Sequence, residues 1–527
     1  MTPPLYPLPG DATLTRRSFL TGSTSFAVAA LMASRSFGAV ITAPRLTAYP
    51  FSLGVASGDP TPDGMVLWTR LAPRPLETGG GMPPASVEVA WQIAEDEAMT
   101  RVVQQGTTLA TPDWAHSVHV EVTGLRPDRW YWYRFKTGRE ESPLGRTRTT
   151  PAFDVAAERL RFVFASCQKY EVGHYTAFEH LRREDIDLVV HLGDYIYEKE
   201  DGANPVRPHG LPEARTLDAY RARYALYKGD PALQAVHAMA PWILTWDDHE
   251  VSNNYASDVY EGTEPHTASQ FLQRRAAAYQ AYYEHMPLRR SALPRGPEML
   301  LYRRLEYGRL ASFHVLDTRQ YRSDQIGLER MQPPLPALSD PSRTMLGDRQ
   351  RRWLFDGLDR STATWNVLAQ QIMMARVDFT PGPGEGYTVD KWMGYEHERR
   401  RLLAHLRDHK TRNPVVITGD IHSNWANEIP AQFDRPDSPP DVVEFVGTSI
   451  SSAGDSKDRP DYIAALQAEN PGVKFHNEER GYVRCEVTPQ SWRTDYQTVA
   501  YVTRKGAPVV TRASFVVAAG QSRLTRA

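Results

Sequence analysis

The stretch VVHLGDYIYE, residues 189–198, decides how the rest of the chain is read. A short apolar run ends at Gly193, and Asp194, Tyr195 and Tyr197 follow at once. Such a run, bounded by a turn signal, reads as a strand buried on both faces. Inside it, His191 reads as a satisfied core histidine, and Tyr195 just beyond it as packing. In open α/β sheets, ligands gather just past the carboxyl ends of the strands. Asp194 and Tyr197 therefore stand where a bound group would be held.

Working outward, the same pattern recurs. LRFVFASC (160–167), PWILTWDD (241–248), LASFHVLDT (310–318), WNVLAQQIM (365–373), NPVVITGD (413–420) and VVEFVGTS (442–449) are apolar strands. Between them lie stretches of helical spacing. In HYTAFEHLRRED (174–185), Tyr175, Phe178 and Leu181 share one face, and TASQFLQRRAAAYQAYYEHM (267–286) and YEHERRRLLAHLRDHK (395–410) follow suit. The expected fold is α/β, with a central, largely buried sheet over 156–480. Residues 481–527 hold further strands such as ASFVVAAG, which either extend that sheet or form an element that gates access to it.

Residues 45–150 read differently. GMVLWTRL, ASVEVAWQIA, HSVHVEVTGL and RWYWYRFKTG alternate apolar and polar residues and are rich in β-branched and aromatic types. They predict a small all-β sandwich of fibronectin or immunoglobulin type, with a tyrosine in VTGLRPDRWYWYRF pinning a corner.

The 527 residues, 41% apolar and 24% charged, suit a globular protein of two or more domains. With 61 basic against 63 acidic residues, no basic excess marks a stable nucleic-acid partner. Residues 1–39 carry Arg16 and Arg17, then Ser18, Phe19 and Leu20, a mildly apolar run, and small residues at Gly38 and Ala39. That is the form of a twin-arginine export signal, and no other stretch is long and apolar enough to span a bilayer. The expected partner is the twin-arginine export machinery, and the expected location is periplasmic or secreted. In an oxidising compartment a disulfide between the two cysteines, Cys167 and Cys485, is the default reading.

Four strand ends carry metal-type ligands: Cys167 with Gln168; Asp194 with Tyr197; Asp247, Asp248, His249 and Glu250 with Asn253 and Asn254; and Asp420 with His422. Each alone reads as turn or cap chemistry. Together, acids crowded at one sheet edge repel one another unless a cation removes that cost. Cysteine, tyrosine and histidine suit iron, whereas carboxylate and amide oxygens suit calcium, magnesium or manganese. Asp194, flanked by both kinds, is the candidate bridge. Cys167 also reads as an inert buried thiol, Tyr197 as a core aromatic, and Asp247 as a turn cap. Arg221 and Arg223 are candidate phosphate contacts, with a solvated helix face as the alternative; Arg319 and Arg376 are read in the same way.

GDY, DDHE and GDIH, in this order, resemble the motifs of calcineurin-like metallophosphoesterases. Together with LGVASGDPTPDGMVLWTRL, FASCQKYEVGHYTAFEHL, TWDDHEVSNNY, YYEHMPLR and ITGDIHSNWA they are similar to the PhoD-type alkaline phosphatases, related to the purple acid phosphatases. The resemblance runs from the export signal to about residue 455. It implies a metallophosphoesterase β-sheet sandwich flanked by helices and preceded by the small all-β unit. It further implies an Fe(3+) site of Cys167, Asp194, Tyr197 and His422, with Asp194 shared. A Ca(2+) site would take Asp194, Asp420 and the amide of Asn254, with Asp248 a further ligand and Mn(2+) or Mg(2+) as substitutes. SCQ stands where the wider superfamily has an acid-x-His motif. His249 would lie beside the substrate to hydrogen-bond the phosphate or protonate the leaving oxygen.

The resulting expectation is direct hydrolysis of a phosphate ester by a phosphomonoesterase with phosphodiesterase capacity. A mainly diesterase or phospholipase D-like enzyme acting on lipid, teichoic acid or nucleic acid is the alternative. A non-catalytic, metal-stiffened binding protein is a third reading.

Overall fold

The run Leu188–Leu192 is an interior strand of a ten-stranded sheet in the computed structural model. The structure describes residues 40–527 except 201, 203, 263–265, 328–332, 334, 431, 433, 434, 436, 437, 457 and 458, so the expected export signal lies outside the described residues. Leu160–Ala165 and Trp242–Thr245 flank the run, both parallel to it, with Val189 opposite Val163 and Trp242. The period of two divides these strands between two cores. Val163, Val189, Trp242 and Leu244 pack among the helices Thr176–Leu181, Leu217–Lys228, Pro231–Met239 and Ala268–His285. Phe162, Phe164, Val190, Leu192 and Ile243 pack the other way, onto a second sheet.

That second sheet has seven strands in the order Arg303–Tyr307, Ala311–Val315, Trp365–Ala369, Pro414–Thr418, Pro440–Val446, Asn424–Pro430 and Val473–Asn477. Four of its five interior strands, from Ala311–Val315 to Pro440–Val446, are parallel. Phe313, Val367, Ile417 and Phe445 meet the first sheet's residues, with Phe162 and Phe313 edge-on at 5.4 Å. The helices Gly347–Arg360 and Glu396–Asp408 cover the outer face through Leu354, Leu358, Leu402 and Leu406. The result is four layers, helix–sheet–sheet–helix: two packed sheets where strand spacing alone suggests one central sheet, as the resemblance implies. At the strand ends the sheets are stitched together by a parallel bridge between Ser166 and Ser449.

The expected boundary at residue 150 is less clean than the alternation suggests. Val102–Ala110, Val87–Ala94, Trp130–Thr137, Glu140–Glu141 and Gly145–Arg148 form a separate five-stranded sheet. The strands packed against it, Val55–Thr61, Gly64–Arg70 and Ser117–Val122, belong to the ten-stranded sheet, where Gly58 lies opposite Trp242. Alternation identifies a strand and its buried face but not the sheet it joins. Tyr131 does pin a corner, since its hydroxyl accepts the Arg126 N–H at 3.0 Å. At the other end, Arg480–Val487 pairs antiparallel with Leu160–Ala165, and Ser491–Val499 and Val509–Ala518 continue outward. The C-terminal strands therefore extend the central sheet. Cys167 and Cys485 are both buried and unpaired, so the disulfide alternative is not realised, and Cys485 sits in the core between the sheets. Among the described residues no helix is long and apolar enough to cross a membrane.

Two interior polar groups run against expectation. His191 is buried, but neither ring nitrogen finds a partner, and burial pushes its pKa down to about 3. Lys228 is buried with its Nζ 4.3 Å from the Trp68 ring centre and 3.4 Å from the Tyr195 hydroxyl. Burial lowers its pKa to about 7. An unfolded lysine titrates near ~10.4, so between about pH 7 and 10 the unfolded chain holds the extra proton and stability rises with pH. Lys228→Met should therefore gain on the order of a few kcal/mol at pH 6.5, and the gain should shrink towards zero by about pH 10. Urea unfolding of both proteins at the two pH values measures this. A pH-independent difference would mean that Lys228 stays charged inside the fold.

Candidate metal centre

The expected ligands converge because of how the strands end. Cys167, Asp194, Asn254, Asp420 and His422 all adopt left-handed backbone conformations, with φ of 58°, 55°, 54°, 65° and 58°. Non-glycine residues rarely do so, and such conformations persist where the surroundings over-determine them. Asp194 and Asp420 each follow a glycine for a steric reason. Gly193 has φ 106°, and a Cβ there would lie 2.4 Å from the Asp247 Cβ. A Cβ on Gly419 would lie 2.4 Å from the Ser166 Oγ. The turns are also cross-tied. Cys167 and Gln168 donate their N–H groups to the carbonyls of Gly193 and Asp194, both at 3.1 Å. The Glu250 carboxylate accepts N–H bonds from Tyr195 (2.5 Å), Asp247 (2.8 Å) and Asp194 (3.2 Å). Burial pushes its pKa up to about 7 against those bonds.

The donor atoms form three overlapping triads, each with its atoms within 4.8 Å of one another: Cys167–Asp194–His422, Asp194–Asp248–His249 and Asp247–Asp248–Asp420. Asp194 links the first two, and Asp248 the last two. Tyr197 joins the first, donating its hydroxyl to Asp194 Oδ2 at 2.8 Å and lying 3.1 Å from His422 Nε2. Ser452 reaches the same hydroxyl and the Cys167 carbonyl, each at 2.7 Å. Asn254 lies in the adjoining turn, its N–H on Asp248 Oδ2 at 2.6 Å. Asp247, expected as a turn cap, instead belongs to the all-carboxylate triad.

The electrostatics fit a bound cation. Burial raises the pKa values of Cys167, Asp194, Tyr197 and Asp247, and their neighbouring anions, Asp194 foremost for Cys167 and Tyr197, raise them further. Asp194 Oδ1 and Asp247 Oδ2 are buried acceptors with no hydrogen-bond partner. A cation would satisfy both orphan oxygens and let the thiol and phenol ionise. Burial, then Arg480, pushes His422 down to about 3, which keeps it neutral, as a ligand must be. The donors divide by type, with S, N and phenol oxygen on the Cys167 side and carboxylates on the Asp420 side.

Several groups around the cluster escaped the sequence reading or have another role than it gave them. Arg319 is buried beneath the carboxylates rather than solvated. Its guanidinium bonds Asp247, reaches Asp390 at 2.9 Å and Asp420 at 3.3 Å, and stands 3.8 Å from Asp248. Burial works against its charge, but Asp247, Asp248 and Asp390 raise its pKa well above the usual arginine value. Lys391 pairs with Asp420, and Arg322 with Asp390 at 2.9 Å. Burial opposes the charged form of Asp248, yet Arg319 and His249 hold its carboxyl below the ordinary range. Glu198 accepts from His249 Nδ1 at 2.6 Å and from the Asn253 N–H at 3.0 Å, fixing the ring over Tyr197 with centroids 4.1 Å apart. Arg319 closes the segment HVLDTR at another strand end, a signal that it faces the cluster and is not on a solvated helix face.

Arg221 and Arg223 are not brought to the cluster. Arg221 pairs with Glu284 at 2.6 Å and Asp218 at 3.3 Å. The guanidinium of Arg223, on the same helix, is held by the carbonyls of Tyr197, Leu211 and Pro212 and by His209 Nδ1. Held in these pairs, neither is placed to grip a phosphate at the cluster. Arg376 bonds Tyr387 and Glu385 elsewhere on the molecule.

Comparison with known proteins adds the following. A family model described as PhoD-like phosphatase matches residues 162–496, and that family's N-terminal domain matches 37–151. Alkaline phosphatase D of Bacillus subtilis (strain 168) is 49% identical over 525 residues, covering 98% of this chain and 89% of that protein. A solved structure of PhoD superposes with a TM-score of 0.89 at 50% identity, covering 92% of this chain and 93% of that one.

Two substitutions test the architecture. Gly193→Ala should cost roughly 2–5 kcal/mol, since it adds backbone strain to a clash with Asp247. Arg319→Met should cost about 3–5 kcal/mol, because it strands buried carboxylates. Denaturant unfolding reads both. Wild-type stability in either variant would remove the role assigned to that residue.

Proposed function

We propose, since this chain belongs to the PhoD-like phosphatase family and is a phosphoric ester hydrolase, that it works as an exported alkaline phosphatase with a binuclear centre of unlike metals. The observation that carries this reading is the division of donors around Asp194, with orphaned buried oxygens on both Asp194 and Asp247. Cys167, Asp194, Tyr197 and His422 would hold Fe(3+). Asp194, Asp248, Asn254 and Asp420, now joined by Asp247, would hold Ca(2+). Bound there, the ions would supply Lewis acidity and the acidification of water that ester hydrolysis needs.

The chain's own groups do the rest. Glu198 orients His249 through Nδ1 and leaves Nε2 as the ring nitrogen that can meet the substrate. His249 is 12% exposed, enough to touch a ligand at the strand ends, while Glu198, at 1%, is screened from water. Burial opposes a charged ring, but Glu198, Asp194 and Asp248 raise its pKa well above the usual histidine value. Glu198, which lies outside the proposed ligand set, is the partner that remains with cations bound and favours a ring able to donate to a phosphate oxygen or give a proton to the departing alkoxide. Arg319 and Lys391 hold Asp247 and Asp420 in place and offset part of their charge before any ligand arrives.

Phosphomonoesters are the proposed main substrates, with diesters hydrolysed more slowly. Export by the twin-arginine route would place the enzyme outside the cytoplasm, where the implied purpose is phosphate scavenging. Purified protein should contain iron and calcium and absorb visible light through charge transfer from the tyrosinate or thiolate. Cys167→Ser and Tyr197→Phe should each bleach that band and lower iron content. Colourless, iron-free active enzyme would overturn the assignment. Nitrophenyl phosphate should outpace its bis-ester on the same preparation, and the reverse order would make the enzyme mainly a diesterase. His249→Ala should lower kcat by about 10²–10⁴-fold with metal content unchanged.

A further inference from the structure

Away from the strand ends, a second group of metal-type donors sits on the outer face of the seven-stranded sheet. His405 lies in the last turn of Glu396–Asp408, and His409, one turn on, caps that helix. Asp359 lies in the last turn of the neighbouring helix, Gly347–Arg360. A single carboxylate oxygen, Asp359 Oδ1, stands 3.0 Å from His405 Nε2 and 2.8 Å from His409 Nδ1. The three donor atoms all lie within 4.8 Å of one another.

The arrangement is built rather than loose. His405 is stacked between two rings, Phe355 at 4.0 Å and 15° and His409 at 4.0 Å and 25°. Its side chain is only 9% exposed. Its Nε2 is buried, and Asp359 Oδ1 stands 3.0 Å away as an ion-pair partner without meeting hydrogen-bond geometry. An ion pair alone leaves that nitrogen unused. A metal ion would use it once the exposed His409 ring tilts out of the stack, since each lone pair lies in its ring plane; an ion about 2.0–2.1 Å from each donor wants them roughly 3.3 Å apart. Burial, reinforced by His409 and opposed by Asp359, lowers the His405 pKa, so its lone pair is free at neutral pH. His409 at 51% and Asp359 at 38% exposure leave an entry path and open positions for water.

We propose that Asp359, His405 and His409 form a separate, non-catalytic site for a borderline divalent ion such as Zn²⁺, Ni²⁺ or Co²⁺, clipping the two helices together. Two imidazoles and one carboxylate select ions of that class over calcium and magnesium, which want oxygen. The donors come from different helices, so they are assembled only in the folded chain. Binding therefore stabilises the fold by mass action.

The test uses tag-free, metal-replete enzyme and Zn²⁺ alone as the probe. Calorimetric titration should show about one equivalent bound beyond the metals already present, and the Tm should rise with zinc concentration. His409→Ala, a change at an exposed position, should weaken that binding at least about tenfold, the lower bound for merely supporting groups around a metal. It should also abolish the Tm rise while leaving phosphate-ester hydrolysis unchanged. His405→Ala should do the same, and if it fails to fold, His409→Ala decides. No extra equivalent in the wild type, or equal zinc affinity and Tm rise in the wild type and His409→Ala, overturns the proposal.

Discussion

One buried guanidinium holds the site together. Arg319 follows a strand of the seven-stranded sheet, Asp247 ends a strand of the ten-stranded sheet, Asp420 ends another of the seven, and Asp390 comes from a connecting loop. A single side chain thus ties both sheets at the edge where chemistry takes place. Buried ion pairs are poor sources of net stability, since desolvation cancels much of the attraction. Their value here is placement. Arg319 and Lys391 occupy some carboxylate oxygens of Asp247, Asp390 and Asp420, while Asp247 Oδ2 and Asp194 Oδ1 remain open. The pattern of filled and open acceptors determines where further positive charge can settle.

The backbone carries a matching cost. Five site residues hold left-handed conformations that ordinary side chains avoid. They are kept there by neighbours that leave no alternative: the carbonyls of Gly193 and Asp194, the Glu250 carboxylate with its three N–H donors, and the bridge from Ser166 to Ser449. The scaffold behind them is two apolar sheets locked through Phe162, Phe313 and their neighbours, stiff enough to sustain that strain.

The strand ends were legible because the signal is local. An apolar run that stops at Gly-Asp, or at two aspartates and a histidine, announces a polar edge within a few residues, and Asp194, Asp248, Asp420 and His422 could be named from it. Arg319 could not be paired, because Asp247, Asp390 and Asp420 lie 72, 71 and 101 residues away in sequence. Arg221 and Arg223 have the side-chain type a phosphate contact needs, but helix position alone does not say that Glu284 and the Tyr197 carbonyl already claim them. Asp247 reads as a turn cap because a cap and a buried anion look alike until the opposite sheet is in place. The all-β segment was recognisable by alternation, but its partition between two sheets was not, since a strand's pattern does not name its partner.

The pairing of Leu160–Ala165 with Arg480–Val487 has a consequence for how the molecule comes into being. Leu160–Ala165 receives one of its two neighbours only after more than half the chain has followed. Ser452 and Arg480, which back Tyr197 and Ser449, arrive equally late. While the polypeptide is being synthesised, Cys167 and Asp194 emerge early but wait beside an unpaired edge. Non-local pairing of this kind folds slowly and exposes sticky intermediates. The centre is thus closed near the end of synthesis, and a nascent chain released short of its last strands would lack the wall that encloses it.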